Sequence, residues 1–102
     1  MEEIIWTEQA RDDLKSIYEF IYRDSPKYAE ITVDNIIDLT EKLMMFPHSG
    51  RVVPELKQEE IREFIYGNYR IIYQITSNSI SILTVFHSAR LLGKASDSNI
   101  FK

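Results

Sequence analysis

The chain of 102 residues contains no cysteine. Disulfides and thiolate metal sites are therefore excluded, and a reducing compartment fits. Histidine is scarce: His48 and His87 are the only two, far apart and without any HExxH-like spacing. A zinc site would need carboxylate help, so neither a metal nor an organic cofactor is expected. No apolar run approaches the roughly 18 residues of a membrane span. The opening MEEIIW is acidic and lacks the basic start and long apolar stretch of a signal peptide. These absences predict a cytoplasmic protein of a bacterium or archaeon with no membrane partner. No repeat, low-complexity tract or linker is present.

What the chain does contain is ordinary globular material. Hydrophobic residues make up 44% and charged residues 27%, enough for one modest core in a single domain. The net charge is −4, which argues against a general nucleic-acid coat. Its distribution is uneven. Residues 1–50 hold 5 Lys/Arg and 11 Asp/Glu, and residues 51–102 hold 7 and 5. The second half can therefore carry a local basic site, or its charges can simply solvate a surface.

The pattern predicts a strand over 2–6. Thr7 then caps a helix of about 8–23 with apolar positions at Ala10, Leu14, Ile17 and Ile21. Asp24-Ser25-Pro26 breaks it, and Ser25 and Pro26 open a second helix. Its apolar positions are Ala29, Val33, Ile36, Ile37, Leu43 and Met44, and it should run to about Met45, where Pro47 and Gly50 end it. Strands follow at 60–66, 69–76 and 79–87, separated by Gly67-Asn68 and Ser77-Asn78 turns. The order β-αα-βββ predicts an α+β domain, a helical hairpin on one face of a mainly antiparallel sheet. The expected domain covers 1–92, with a loose tail over 93–102.

Four segments, in this order, carry a family resemblance: WTEQARDDLKSIYEFI from Trp6, FPHSGR (46–51), IREFIYGNYRIIYQI (61–75) and ILTVFHSARLL (82–92). Over about residues 3–92 the chain resembles the RelE/ParE toxin superfamily, and HSAR is closer to ParE-like members. The resemblance implies the β-αα-βββ fold. It also implies the toxin of a type II toxin–antitoxin pair, held in a hetero-oligomer with a cognate antitoxin. ParE-like members poison DNA gyrase; RelE-like members cut messenger RNA on the ribosome.

The candidate chemistry centres on Arg70 and His87. If the Ser77-Asn78 turn sets the register, Thr76 pairs with Ser79 and Arg70 faces Val85. Arg70 and His87 then share one face as diagonal neighbours; a one-residue slip separates them. The other face, with Tyr69, Ile71, Tyr73, Ile75, Ile82 and Phe86, is assigned to the helices. An outward Arg–His pair suits phosphodiester cleavage, His moving the proton and Arg holding the phosphate. By resemblance to RelE-like ribonucleases, Arg70 and His87 fall at site positions, and Arg90 adds a phosphate contact.

Against that reading, nothing after Tyr73 is tyrosine, and the overall charge is acidic, whereas ribosome binding favours a basic surface. Arg70 can equally pair with Glu63. His87 can be a strand-end histidine bonded to backbone. His48 reads as a turn residue and Arg51 as an anchor for the helix–strand loop or a carboxylate. The leading expectation is a gyrase-binding toxin with target contacts at His87, Arg90, Leu91 and Leu92. The alternative is a ribosome-dependent ribonuclease using Arg70, His87 and Arg90. A toxin that has lost its activity and serves as an antitoxin-bound scaffold is a third. In each, the antitoxin covers an open, partly apolar face at Ile72, Leu83 and Val85.

Overall fold

Two short polar side chains start the helices. Thr7 accepts a hydrogen bond from the Ala10 amide (3.1 Å), and Ser25 accepts one from the Tyr28 amide (3.1 Å), with Pro26 at the first helical position. The structure, a computed structural model, describes residues 3–88. Its elements are β1 (Glu3–Trp6), α1 (Glu8–Tyr22), α2 (Pro26–Lys42), a 3-10 turn (Pro47–Ser49), β2 (Arg51–Val52), β3 (Ile61–Tyr66), β4 (Tyr69–Ile75) and β5 (Ser79–His87). The strands form one sheet in the order β1-β5-β4-β3-β2. β1 is parallel to β5 and the other pairs are antiparallel. This is the expected α+β arrangement.

Two local features differ from the sequence reading. α2 stops at Lys42 rather than Met45, because the amides of Leu43, Met44 and Met45 bond to carbonyls three residues back and tighten the chain into turns. A further strand, β2, forms at the sheet edge. It depends on Gly50, where a Cβ would lie 2.5 Å from the Glu63 carbonyl oxygen and 2.6 Å from the Tyr73 hydroxyl. Only glycine lets the chain come this close.

The helices pack on one sheet face. Ala10, Ile36 and Leu43 meet Ile71, Tyr73, Ile80, Ile82 and Val85 there, flanked by Leu14, Ile17, Tyr69 and Ile75. The opposite face is not open. Residues 53–60 cross it, and Val53 and Leu56 pack with Ile61, Ile72, Leu83 and Phe86. Val53 and Ile72 are fully buried as a result.

The register of β4 and β5 begins as the turn dictates, with Ile75 opposite Ile80 and Tyr73 opposite Ile82. It then shifts. Ile72 lies opposite Thr84, so Leu83 is an extra residue in β5, a β-bulge. Beyond it Ile71 pairs with Val85, Arg70 with Phe86 and Tyr69 with His87. The expected Arg70–Val85 pairing is thus displaced by one residue. Two faces are corrected with it: Val85 belongs to the helix-covered core, and Phe86 to the opposite face.

α1 fastens the bulge. The Thr7 hydroxyl donates to the carbonyls of Ile82 (2.8 Å) and Leu83 (3.1 Å). β1 accompanies β5 only as far as Ile82, so the Val85 amide has no strand beside it there. The Asp13 carboxylate takes that amide (3.1 Å) and the Thr84 hydroxyl (2.5 Å) on one oxygen. Asp13→Ala should therefore lower stability by about 1–3 kcal/mol, the cost of stranding buried donors. Urea denaturation checks this. A loss within error of zero would mean that water replaces the carboxylate.

Tyr73 ties the sheet to the 3-10 turn. Its hydroxyl donates to the Pro47 carbonyl (2.7 Å) and accepts from the Gly50 amide (3.0 Å). Burial pushes this phenol above its ordinary value, and the Gly50 hydrogen bond opposes that only in part. The unfolded chain then loses its tyrosine proton first as pH rises past about 10, so it binds fewer protons than the native state. Tyr73 favours unfolding increasingly above that pH. Tyr73→Phe should be less stable than the parent at pH 8, with the gap narrowing by pH 11. A gap independent of pH would contradict the assignment.

Candidate functional site

Arg70 sits in the middle of the strap-covered face with 6% of its surface exposed. Its Nε donates to Glu63 (2.8 Å) and one terminal nitrogen donates to Glu63 as well. The two terminal nitrogens also grip Glu55 in a bidentate pair, at 2.8 and 3.0 Å. Four of the five guanidinium N–H groups are therefore committed to carboxylates. The Phe86 ring lies beneath the guanidinium, 5.3 Å from centroid to Cζ. The Glu55 hydrogen bonds, with those of Glu63, hold Arg70 more firmly protonated than usual, against the opposing effect of burial.

Glu63 is itself buried and receives a second cation, Arg51, through its Nε (2.5 Å). Arg51, whose side chain is 65% exposed, thus anchors a carboxylate, one of the two roles expected for it. Arg62 pins the same corner by donating to the Gly50 carbonyl (3.0 Å) and to Glu59 (2.8 Å). Arg51, Glu63, Arg70 and Glu55 form a chain of alternating sign with no net charge.

His87 is on the other side of the sheet. Its ring meets Tyr69 edge to face, with centroids 5.9 Å apart. The two line a groove of about 470 Å³ with Ser16, Ile17 and Phe20 of α1. Burial raises the Tyr69 phenol, with a smaller push from Tyr28. The expected Arg70–His87 pair is therefore not assembled: the bulge turns the two side chains to opposite faces, and Arg70 is not outward but enclosed. Of the three residues expected to meet an antitoxin, Ile72 lies under the strap and Val85 under the helices, both essentially without surface. Leu83 alone is half-buried at the rim. Arg90, Leu91 and Leu92, the domain limit at 92 and the tail 93–102 lie outside the described residues. His48 is in the 3-10 turn, as its neighbours Pro47 and Ser49 suggested.

Sequence reasoning missed Glu55 and Asp13. For Glu55 a signal existed: Val52, Val53 and Leu56 are apolar residues in a stretch otherwise read as loop. For Asp13 there was none, since an acid on an amphipathic helix reads as solvated. Among the described residues no cluster of three or more potential ligands could hold a metal ion, and no helix is long and apolar enough to cross a membrane.

Residues 4–92 match the family described as ParE toxin of type II toxin–antitoxin system, parDE. The chain belongs to this family of toxins. Toxin RelE2 of Caulobacter vibrioides is 26% identical over 91 residues, covering 89% of this chain and all of the relative. Two solved structures share the fold. The chromosomal ParDE toxin–antitoxin system from P. aeruginosa aligns with a TM-score of 0.69 at 21% identity, over 85% of this chain and 96% of the other. The toxin–antitoxin complex RelBE2 from Mycobacterium tuberculosis aligns with a TM-score of 0.51 at 23% identity, over 84% and 96%.

The buried network makes a stability prediction that separates a structural arginine from a catalytic one. Arg70→Ala leaves the Glu63 carboxylate buried with a single exposed partner, and should cost about 3–5 kcal/mol. Replacing both residues together, Arg70→Met with Glu63→Leu, should recover much of that. A loss below about 1 kcal/mol for Arg70→Ala, read by urea denaturation, would show that the network is not a structural tie.

Proposed function

We propose that this toxin is ParE-like: it binds DNA gyrase and poisons it without a catalytic act of its own, and a cognate antitoxin neutralises it. The state of Arg70 carries the reading. Phosphodiester cleavage needs a cation free to hold the phosphate beside the group that moves the proton. Arg70 is enclosed, bonded to two carboxylates, and across the sheet from His87. A binding toxin needs exposed anchors instead, and Phe20, Tyr22, Tyr28, Met45 and Phe46 are all exposed. The family match and the ParDE structural neighbour support the same choice. An antitoxin partner follows from the toxin–antitoxin character of the family. The relative named Toxin RelE2 favours a second reading, ribosome-dependent cleavage of messenger RNA.

The test is DNA supercoiling by purified gyrase with the purified chain added. Inhibition with trapped, cleaved DNA is expected, and His87→Gln should inhibit as the parent does. No effect at high excess of folded protein, together with messenger cleavage on ribosomes, would overturn the proposal in favour of the ribonuclease.

A further inference from the structure

The groove at the end of β5 lies where the described chain stops. His87 forms part of its wall, and the Ser88 amide is fixed to the Asn68 carbonyl (2.6 Å). The next residue, 89, therefore starts within a residue or two of the groove. The groove's lining is mostly carbon, and Phe20 on its rim is 65% exposed, although Leu14 and Ile17 of the same helix pack into the core. An apolar groove with an uncovered aromatic rim calls for a cover.

The chain beyond Ser88 reads ARLLGKASDSNIFK. Between 89 and 99 its only large apolar residues are Leu91 and Leu92. Four extended residues reach about 13 Å, which brings both leucines over the groove and little further. Arg90 precedes them, and α1 carries the exposed acids Asp12 and Glu19 at helical spacing from Ser16. Charge and apolar surface are thus complementary in one short segment and one helix face.

We propose that residues 90–92 of this same chain fold back onto α1, Leu91 and Leu92 covering Ile17 and Phe20 and Arg90 facing Glu19 and Asp12. A partner that takes either leucine then competes with α1 for it. This docking does not depend on whether gyrase is the target.

The absence of native cysteine provides a clean test. In the full-length chain, Ser16→Cys is combined with Leu92→Cys. The control combines Leu92→Cys with Ser49→Cys, which lines the apolar groove by Leu39, Phe46 and Ile65, two strands away across the sheet. Two cysteines join only when their Cα atoms come within about 7 Å. Under mild oxidation the Ser16 pair should close an intramolecular disulfide about tenfold faster than the control or more, the gain in effective concentration from docking. Adding Phe20→Ala should slow it toward the control. Equal rates in the two pairs, or no effect of Phe20→Ala, would overturn the proposal. A concentration-dependent disulfide-linked dimer from the Ser16 pair would overturn it too, giving the groove to a second copy.

Discussion

One extra residue in β5 sets the geometry of this molecule. On the turn side of Leu83 the strands follow the hairpin register; beyond it every pairing is displaced by one. Side chains alternate across a strand, so the displacement inverts which residues of β5 share a face with a given residue of β4. Val85 moves into the helix-packed core and Phe86 onto the opposite face, beneath Arg70. The bulge is held rather than tolerated. Thr7 caps α1 and grips the bulge carbonyls with the same hydroxyl, and Asp13, two turns along, takes the amide that β1 is too short to reach. Helix initiation and strand register are thus one interaction.

The strap-covered face depends on that placement. Four charges in a poorly solvated corner gain little net stability, since desolvation offsets most of their attraction. Their geometric requirement is strict, however. Arg70 must reach Glu63 on the adjacent strand and Glu55 on the strap at once, and its planar guanidinium fits both only in one orientation. Burial of Val53 and Leu56 supplies the favourable area that holds the strap down, and the bidentate pair fixes where it lies. A network of this kind explains why an arginine at the centre of a strand is kept charged without being offered to a ligand.

Much of the fold was legible because periodicity is a strong signal. The helices, with Thr7 and Ser25 as caps, the three long strands and the helix-facing stripe Tyr69, Ile71, Tyr73 and Ile75 follow from apolar spacing and turn residues. The candidate site was not, and the reason is specific. Its residues were assigned by counting from the Ser77-Asn78 turn, and a bulge breaks that count without leaving a glycine or proline to mark it: the residues there are Ile82, Leu83 and Thr84. The stabilising partners, Asp13 on a helix and Glu55 in a loop, are far away in sequence. The Arg70–Glu63 pair was accessible from cross-strand adjacency, since Glu63 lies opposite Ile72, one step along from Arg70's neighbour and on the same face. Adjacency survives there because β3 and β4 pair without a bulge.

The same geometry limits what the surface can do. Both sheet faces are covered among the described residues, one by helices and one by the strap, so a partner has only rims, helix backs and edges to hold. The large apolar groups on these surfaces fall on the α1–α2 hairpin (Phe20, Tyr22, Tyr28, Ile31) and around the end of α2 and β3 (Met45, Phe46, Ile65). Such residues bind by being covered, and burying one aromatic ring on a partner contributes on the order of 1.5–3 kcal/mol. A rigid scaffold presenting anchors costs little conformational entropy on association. A sheet closed on both faces has no cleft in which to arrange an acid, a base and a phosphate-binding cation. The bulge that separates Arg70 from His87 thus fits a protein that acts by contact.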